Sequence, residues 1–321
     1  MSNLKNLGER EVIRRLARLL PSRMDVCAGV GHDVAVVRGD KKHDFLLKSD
    51  AVVEGHHFLS TTPPRQIGHK ALGRVLSDLA AAGGEPLWAL VNLVVPRGEK
   101  IHRICAVYGG LAALARRHRL AIVGGDTTEG LALELHVFAV GRVPRGTTQL
   151  RSGAGVGDVI FVTGTLGGSL AGKHLHFTPR LAEGRWLRCG GWATAAIDIS
   201  DGLATDLDHL VEMSRVGAEI FIDKIPIAAA VFQGLEKGNV TFSKAWKKLP
   251  PVAHAVGDGE DFELLFTVPS RKAAALTAAW QKKFRTRLTA VGVITKSVGK
   301  IKWRERGCLL TAPATGFEHF R

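Results

Sequence analysis

Six short acidic motifs recur along a chain whose formal net charge is +14. Each contains an aspartate close to glycine or to a small hydroxyl residue, and most follow or interrupt an apolar run. Oxygen ligands that come from several separate elements are what a magnesium–polyphosphate site requires. The motifs therefore predict such a site, and they are Gly-His-Asp (31–33), Lys-Ser-Asp (48–50), Leu-Ser-Asp (76–78), Gly-Gly-Asp (124–126), Asp-Ile-Ser-Asp-Gly (198–202) and Gly-Glu-Asp (259–261).

Taken singly, most of these aspartates also have a structural interpretation. Asp33 is compatible with a turn or a helix N-cap, and Asp50 and Asp126 with turn caps at strand ends. Asp201, which precedes a glycine and an apolar helix, is compatible with an N-cap. Their joint placement near strand or helix ends favours a shared metal site, although each alternative stays open for the single residue.

Three further details strengthen the metal interpretation. Asp78 lies near the C-terminus of a predicted helix, where a negative charge opposes the helix dipole, so a purely structural role is less favourable there. Asp198 and Asp201 flank two residues of a strand-to-helix turn, from which both could reach one ion. Residues 124–128 add backbone N–H groups, hydroxyls and a carboxylate, which suit phosphate and metal together.

Two other motifs are weaker candidates. Residues 167–174 nearly match a P-loop, but His174 stands where a hydroxyl should hold Mg²⁺, which favours a glycine turn that leads into a helix. The pairs His56/His57 and His174/His176 have no cysteine or carboxylate cluster at zinc spacing. These histidines are therefore expected to be exposed or to face a substrate.

The elements that must position these residues alternate between strands and helices. Apolar residues at every fourth position, opened by Pro63 and Pro64 and closed by Gly83 and Gly84, predict a helix between those points. Further helices are predicted at 4–20, 99–117, from about 169, 203–214 and 270–284. Strands are predicted at 34–37, 45–47 (leading into residues 49–53), 87–95, 120–123, 133–143, 159–163, 195–199, 219–222, 262–268 and 289–293.

The order of elements predicts an α/β (mixed α+β) protein with two units. Residues 144–157 are rich in glycine and form a plausible linker between them. We therefore expect an N-terminal domain at 1–145 and a C-terminal α/β domain at 146–321.

Composition narrows the class of protein. No apolar run approaches the roughly 18–20 residues of a membrane span, and the charged N-terminal segment does not resemble a signal peptide, so a cytoplasmic protein is expected. Four scattered cysteines argue against a zinc site or a disulfide framework and are expected to be buried thiols. The positive charge is dispersed and the chain has a single tyrosine, so a nucleic-acid partner is not expected.

The ordered motifs resemble the thiamine-monophosphate kinase family, which belongs to the superfamily of aminoimidazole-ribonucleotide synthetase and selenophosphate synthetase. The resemblance runs from about residue 9 to the C-terminus. The matching segments are 29–37, 49–58, 70–72, 76–83, 123–128, 150–154, 158–164, 196–203, 259–266 and 316–320.

The resemblance implies a two-domain fold like that of aminoimidazole-ribonucleotide synthetase. It also implies that the domain at 1–145 binds ATP and Mg²⁺ and mediates dimerisation, in a homodimer that pairs its N-terminal sheets. It also implies direct in-line transfer of a phosphoryl group from ATP to thiamine monophosphate, with Mg²⁺, to give thiamine diphosphate. The implied catalytic residues are Asp126 and Asp201. Further implied roles are Mg²⁺ ligation by Asp33, Ser49, Asp50, Asp78, Asp126, Asp198 and Asp201, ATP contacts from Tyr108, Gly125, Arg151 and Ser200, and thiamine-phosphate contacts from His57, Glu260 and Phe317.

Two positions depart from the family pattern beside predicted ligands. His32 replaces an acidic residue, and Lys48 stands where a small hydroxyl residue is usual. They leave the number of Mg²⁺ ions open. They also keep open the alternative of a diverged, weakly active or inactive nucleotide-binding relative, or of a basic nucleic-acid-binding protein.

Overall fold

The computed structural model describes residues 7–236 and 248–317, and its strands form two sheets. The first sheet has six strands in the order β1-β2-β3-β6-β4-β5. All pairs are antiparallel except β4 with β5, which are parallel. The elements of this half are α1 (Glu9–Ala17), β1 (Val26–Ala28), β2 (Ala35–Arg38), β3 (His43–Val53), α2 (Pro64–Ala81), β4 (Glu85–Val95), α3 (Ile101–Arg117), β5 (Ala121–Glu129) and β6 (Glu134–Pro144).

The second sheet has seven strands in the order β13-β12-β9-β11-β7-β10-β8. Strands β7, β8 and β10 are almost wholly buried, as expected for continuous apolar runs covered on both faces. The elements are β7 (Val159–Thr163), α4 (Leu181–Cys189), β8 (Ala195–Ile199), α5 (Leu203–Ser214), β9 (Gly217–Phe221), α6 (Ala229–Glu236), α7 (Pro251–Gly257), β10 (Glu263–Val268), α8 (Ser270–Lys283), β11 (Leu288–Thr295), β12 (Ile301–Glu305) and β13 (Cys308–Leu310).

Helix α2 lies between the two sheets and is buried along most of its length. It contacts β3 and β6 of the first sheet and β8 and β10 of the second. Its apolar residues belong to a core that also includes Ala196 and Phe266 of the second sheet. The chain leaves the helix through Gly83, whose φ of 70° favours glycine. Because the two halves share this core, the helix can present polar residues to both.

The mixed α/β class is confirmed, and most predicted elements appear near their predicted bounds. The helix predicted from about residue 169 is wrong: two 3-10 turns at Ser169–Ala171 and Lys173–Leu175 precede α4. Of the helix predicted at 4–20, residues 4–6 lie outside the described ranges. The domain boundary near residue 145 stays a prediction.

Strand β5 is longer than predicted, because residues 124–129 continue it and do not form a turn. A Cβ atom on Gly125 would come within 1.8 Å of the Val91 carbonyl oxygen of β4. Glycine is therefore needed there for the two strands to approach. This is a structural reason for part of the Gly-Gly-Asp motif.

Two expectations from composition can also be compared with the structure. All four cysteines are free and exposed, so the expectation of buried thiols is wrong; Cys27, for example, lies on the short β1 at the edge of its sheet. No helix in the described ranges combines the length and the apolar content needed to cross a bilayer.

Candidate active site

A cavity of about 930 Å³ lies where the two halves meet. Residues of β3 and α2 line one side, and the turn between β8 and α5 lines the other. Helix α1 contributes residues to its rim. Nine of the predicted site residues line it: Asp33, Ser49, Asp50, Asp78, Arg151, Asp198, Ser200, Asp201 and Phe317.

Three buried carboxylates form a tight group in this cavity. Asp33 precedes β2, Asp78 lies in the last turn of α2 and Asp198 lies on β8. Each offers an oxygen, and these oxygens all lie within 4.8 Å of one another. The side chains come from three elements of both halves, so the fold brings together ligands that are up to 165 positions apart (198 − 33).

The electrostatics of this group suit a divalent cation. Burial, followed by the negative charge of Asp33, raises the pKa of Asp198 to about 6. Burial also raises the pKa of Asp78 well above its usual value, although Lys48 opposes the rise. Carboxylates crowded in this way are stabilised by a hard cation, and oxygen donors are what Mg²⁺ prefers. The three residues therefore fit Mg²⁺.

Protein cations neutralise part of this charge. Arg151 donates from Nε and Nη2 to Oδ1 of Asp33 at 2.8 and 2.6 Å. Lys48 donates from Nζ to Oδ1 of Asp78 at 2.9 Å. The Ser77 hydroxyl donates to Oδ2 of Asp198 at 2.6 Å.

Ser49 and Asp50 lie on β3 beside the group. Because side chains alternate along a strand, they project from opposite faces, and Ser49 is the exposed one. Asp50 accepts hydrogen bonds from Arg74, at 3.1 Å from Nε and 3.3 Å from Nη2. Asp50 is thus held at the cavity wall by a guanidinium.

The turn that contains Ser200 and Asp201 is fixed by a buried carboxylate. Asp206 accepts the backbone N–H groups of both residues at 3.0 and 3.1 Å. Burial, followed by the charge of Asp201, raises the pKa of Asp206 well above its usual value. Sequence reasoning did not single out Asp206, although its place in the first turn of α5 is one where carboxylates bind backbone N–H groups.

Glu260 lies next to this turn and is surrounded by positive or hydrogen-bonding groups. Burial alone would raise its pKa, but a hydrogen bond from His174 and the charges of Lys70 and Arg74 lower the pKa to about 2. Arg74 Nη1 lies 3.1 Å from its Oε1, and His174 Nδ1 lies 2.8 Å from Oε2. Lys70, which is fully buried, bonds to the same Oε2. Glu260 is therefore an ionised acceptor held in one position.

His57 joins this cluster through its backbone. Its carbonyl accepts a hydrogen bond from Lys70 Nζ at 2.6 Å, and its ring Nδ1 accepts one from the Val53 N–H at 3.1 Å. Burial, followed by the charges of Arg74 and Lys70, lowers the pKa of His57 to about 4. The imidazole is thus neutral at physiological pH.

Backbone contacts to the 200–201 turn bring Glu260 and Phe317 close together. The Glu260 N–H donates to the Ser200 carbonyl at 2.6 Å, and the Phe317 N–H donates to the Asp201 carbonyl at 2.9 Å. Glu260 has a φ of 54°, a left-handed conformation that costs a non-glycine residue about 1–2 kcal/mol. The cluster around its carboxylate offsets that strain.

Five predicted residues do not line this cavity in the single chain: His57 and Glu260, whose cluster is described above, and three others. Tyr108 lies on α3, and Gly125 and Asp126 lie on β5. Asp126 is exposed and pairs in register with Asn92 of β4. Strands β4 and β6 separate β5 from β3. One chain therefore does not bring Asp126 to the other predicted ligands.

Sequence reasoning also missed Lys70 and Arg74. Together with Asp78 they are spaced by four residues, so they lie on one face of α2. This polar row runs along a helix whose other residues are mostly apolar and buried. The spacing was visible in the sequence, but its meaning depended on α2 being buried between two sheets.

The P-loop-like segment is not arranged to bind phosphate. The N–H of Gly167 donates to Asp261, and that of Gly168 to Asp258, at 2.9–3.0 Å. The Ser169 hydroxyl donates to Asp261 at 2.6 Å. Carboxylates already occupy the donors that a P-loop would offer, in agreement with the glycine-turn interpretation.

The fold and the carboxylate-lined cavity define a protein of the class related to AIR synthase. Residues 31–143 match the family model described as AIR synthase related protein, N-terminal domain. A thiamine-monophosphate kinase of Salmonella typhimurium is 34% identical over 98% of both chains. With such a relative over nearly its whole length, the chain belongs to the thiamine-monophosphate kinase family.

Solved structures agree with this assignment. A structure described as AaThiL complexed with AMPPCP and TMP is 29% identical, with a TM-score of 0.83 over 99% of both chains. A thiamine-monophosphate kinase from Stenotrophomonas maltophilia is 33% identical, with a TM-score of 0.72 over 92% of this chain and 95% of that one. These relatives give no support to the alternative of a nucleic-acid-binding or inactive protein.

Proposed function

We propose that this protein transfers the γ-phosphoryl group of ATP to the phosphate of thiamine monophosphate, giving thiamine diphosphate and ADP. The proposal rests on the group of Asp33, Asp78 and Asp198 in a cavity of a chain that matches this kinase family over nearly its full length. One solved relative holds AMPPCP and TMP.

The carboxylate side of the cavity is the proposed ATP side. Asp33, Asp78 and Asp198 would hold Mg²⁺, which neutralises charge on phosphate oxygens during phosphoryl transfer. Arg151 can donate to a phosphate oxygen from the N–H groups that Asp33 does not use. Ser200 and Asp201 follow Asp198 and face the same space. We propose Asp201 as a catalytic carboxylate that completes the metal site together with Asp50. Ser49 projects from the other face of β3 and stays a predicted ligand.

The proposed thiamine side begins at Glu260. Thiamine carries a cationic ring, which an ionised carboxylate and an aromatic ring both attract. Glu260 is ionised, and Phe317 is anchored at the adjacent backbone position. The neutral His57 can donate a hydrogen bond from Nε2 without adding charge, because its Nδ1 accepts the Val53 N–H. Arg74 lies between the two sides and keeps them at a fixed separation, as in-line transfer requires.

We also propose a homodimer in which Asp126 of one copy completes the site of the other. Strand β5 is an edge strand with eight of its nine residues exposed, and such edges readily pair with another chain. Pairing the first sheets of two copies would place Gly125, Asp126 and Tyr108 at the interface. We further propose that the enzyme acts in the cytoplasm, with ATP and thiamine monophosphate as its partners.

The direct test is turnover. Purified protein is incubated with ATP, Mg²⁺ and thiamine monophosphate, and the products are separated by chromatography. Thiamine diphosphate and ADP are expected in equal amounts, and neither should form with Asp198→Asn. Absence of product across a wide range of Mg²⁺ concentrations would contradict the proposal.

A further inference from the structure

Lys48 is an unusual neighbour for a metal site, because its ammonium group lies directly on one of the three grouped carboxylates. Its Nζ is 2.9 Å from Oδ1 of Asp78, and the two side chains are 22% and 8% exposed. The ammonium group of Lys48, paired with a carboxylate at that distance, places a positive charge inside the cluster.

Three of the carboxylates around the cavity each pair with a different cation. Arg151 pairs with Asp33, and Arg74 pairs with Asp50. Lys48 pairs with Asp78, whereas Asp198 accepts a hydrogen bond from the neutral Ser77 hydroxyl.

The two arginines and Lys48 differ in what they can replace. A guanidinium is planar and binds through a fixed fork, whereas an ammonium is a compact point charge with donors directed in three dimensions. In size and charge distribution the ammonium is the protein group most like a small cation. It bonds to Oδ1 of Asp78, and the same carboxylate offers an oxygen within 4.8 Å of oxygens of Asp33 and Asp198.

We infer that Lys48 occupies the position of one cation at Asp78, so that the carboxylate cluster of each chain binds a single divalent ion where it would otherwise bind two. The inference rests on the proposed function only in taking this cluster as the metal site. The tethered charge is present at every Mg²⁺ concentration, whereas a bound ion is lost when Mg²⁺ is scarce.

The consequence can be counted directly with Mn²⁺ alone, without substrates. Free Mn²⁺ is measured by electron paramagnetic resonance during titration of the protein, of Lys48→Gln and of Lys48→Arg. Lys48→Gln removes the charge at similar length, and Lys48→Arg retains it. Lys41→Gln, at an exposed turn position, is the matched surface control.

We expect about one bound Mn²⁺ per chain in the unmodified protein, in Lys48→Arg and in Lys41→Gln, and about two in Lys48→Gln. One ion in Lys48→Gln, or two in the unmodified protein, overturns the inference and leaves the proposed function standing. No bound Mn²⁺ in the unmodified protein contradicts the magnesium site of the proposed function itself.

A second measurement covers the case in which Lys48→Gln folds poorly because Asp78 has lost its partner. The melting temperature of each variant is recorded with and without Mn²⁺. Because an ion would replace the lost ammonium, Mn²⁺ should raise the melting temperature of Lys48→Gln by more than that of the unmodified protein or Lys48→Arg. Equal shifts in all variants identify Lys48 as a structural ion-pair partner and overturn the inference.

Discussion

Arg74 Nη1 lies 3.1 Å from Glu260 Oε1, although 186 positions separate the two residues in the chain. Arg74 comes from α2, and Glu260 from the segment that precedes β10. The same guanidinium also binds Asp50 at the carboxylate side. One side chain thus joins the proposed ATP and thiamine sides, and a change at Arg74 should affect both.

Arg74→Met should lower kcat by about a hundredfold and raise KM for thiamine monophosphate, because Glu260 and Asp50 lose a shared partner. Arg74→Lys should recover little, since an ammonium cannot bind two carboxylates through a fixed fork. Steady-state kinetics with each substrate varied in turn measures both effects.

The matched control is Arg185→Met on the exposed face of α4, which should leave both constants unchanged. If Arg74→Met altered KM for thiamine monophosphate while kcat stayed the same, Arg74 would serve substrate binding alone and would not hold the two sides in register.

The sequence was sufficient to predict nine residues of the cavity wall, because acidic residues at strand and helix ends are a local signal. Asp33, Asp78 and Asp198 could each be placed on or next to an element from apolar periodicity and turn residues. That they meet within 4.8 Å depends on α2 packing between two sheets, which no local pattern specifies.

The residues missed by sequence reasoning are those whose role depends on burial. In the sequence, Lys70 and Arg74 look like charged residues on a solvated helix face. In the structure, both side chains contact Glu260 of the C-terminal half. Asp126 is the opposite case, because its motif is easily recognised in the sequence but lies on an exposed edge strand away from the other carboxylates. Its proposed role depends on a second copy of the chain.

In the metal-free protein, the crowded carboxylates should lower the free energy of unfolding. Asp198 has a pKa raised to about 6, mainly by burial, so above that pH its ionisation destabilises the fold. In the presence of a chelator at about pH 7.5, Asp198→Asn should therefore increase the free energy of unfolding by about 1–3 kcal/mol. The same variant should have no measurable kinase activity.

Asp158→Asn is the contrasting control. Asp158 is buried but accepts hydrogen bonds from the Gly155 N–H and the Thr194 hydroxyl, so its loss should reduce stability by about 1–3 kcal/mol and preserve activity. Urea denaturation and product assays distinguish the two. A destabilised Asp198→Asn would mean that the buried carboxylate is stabilised in the absence of metal.

Subunit complementation tests the proposed place of Asp126. Asp126→Asn and Asp198→Asn should each be inactive as homodimers. In a hybrid dimer, the chain with Asp126→Asn keeps an intact carboxylate cluster and receives a normal Asp126 from its partner. Random mixing should therefore restore about a quarter of the normal activity, measured after the two proteins are unfolded and refolded together. An inactive mixture that sedimentation shows to be dimeric would place Asp126 outside the partner's site.

Asp261 should make stability depend on pH in a direction opposite to that of a salt-bridged carboxylate. Burial raises the pKa of this side chain from 3.8 to about 7, although Lys173 and the Ser169 hydroxyl oppose the rise. Between those values the folded state binds more protons than the unfolded state, so this group's contribution to stability falls as pH rises from about 4 to about 7 and is constant above. The slope is up to about 1.4 kcal/mol per pH unit.

Denaturation of the protein and of Asp261→Asn at several pH values isolates the contribution of Asp261, because Asn does not titrate. The difference in free energy of unfolding between the two should change up to about pH 7 and then level off; a difference independent of pH would show that Asp261 is ionised throughout and held by its hydrogen bonds to Gly167 and Ser169.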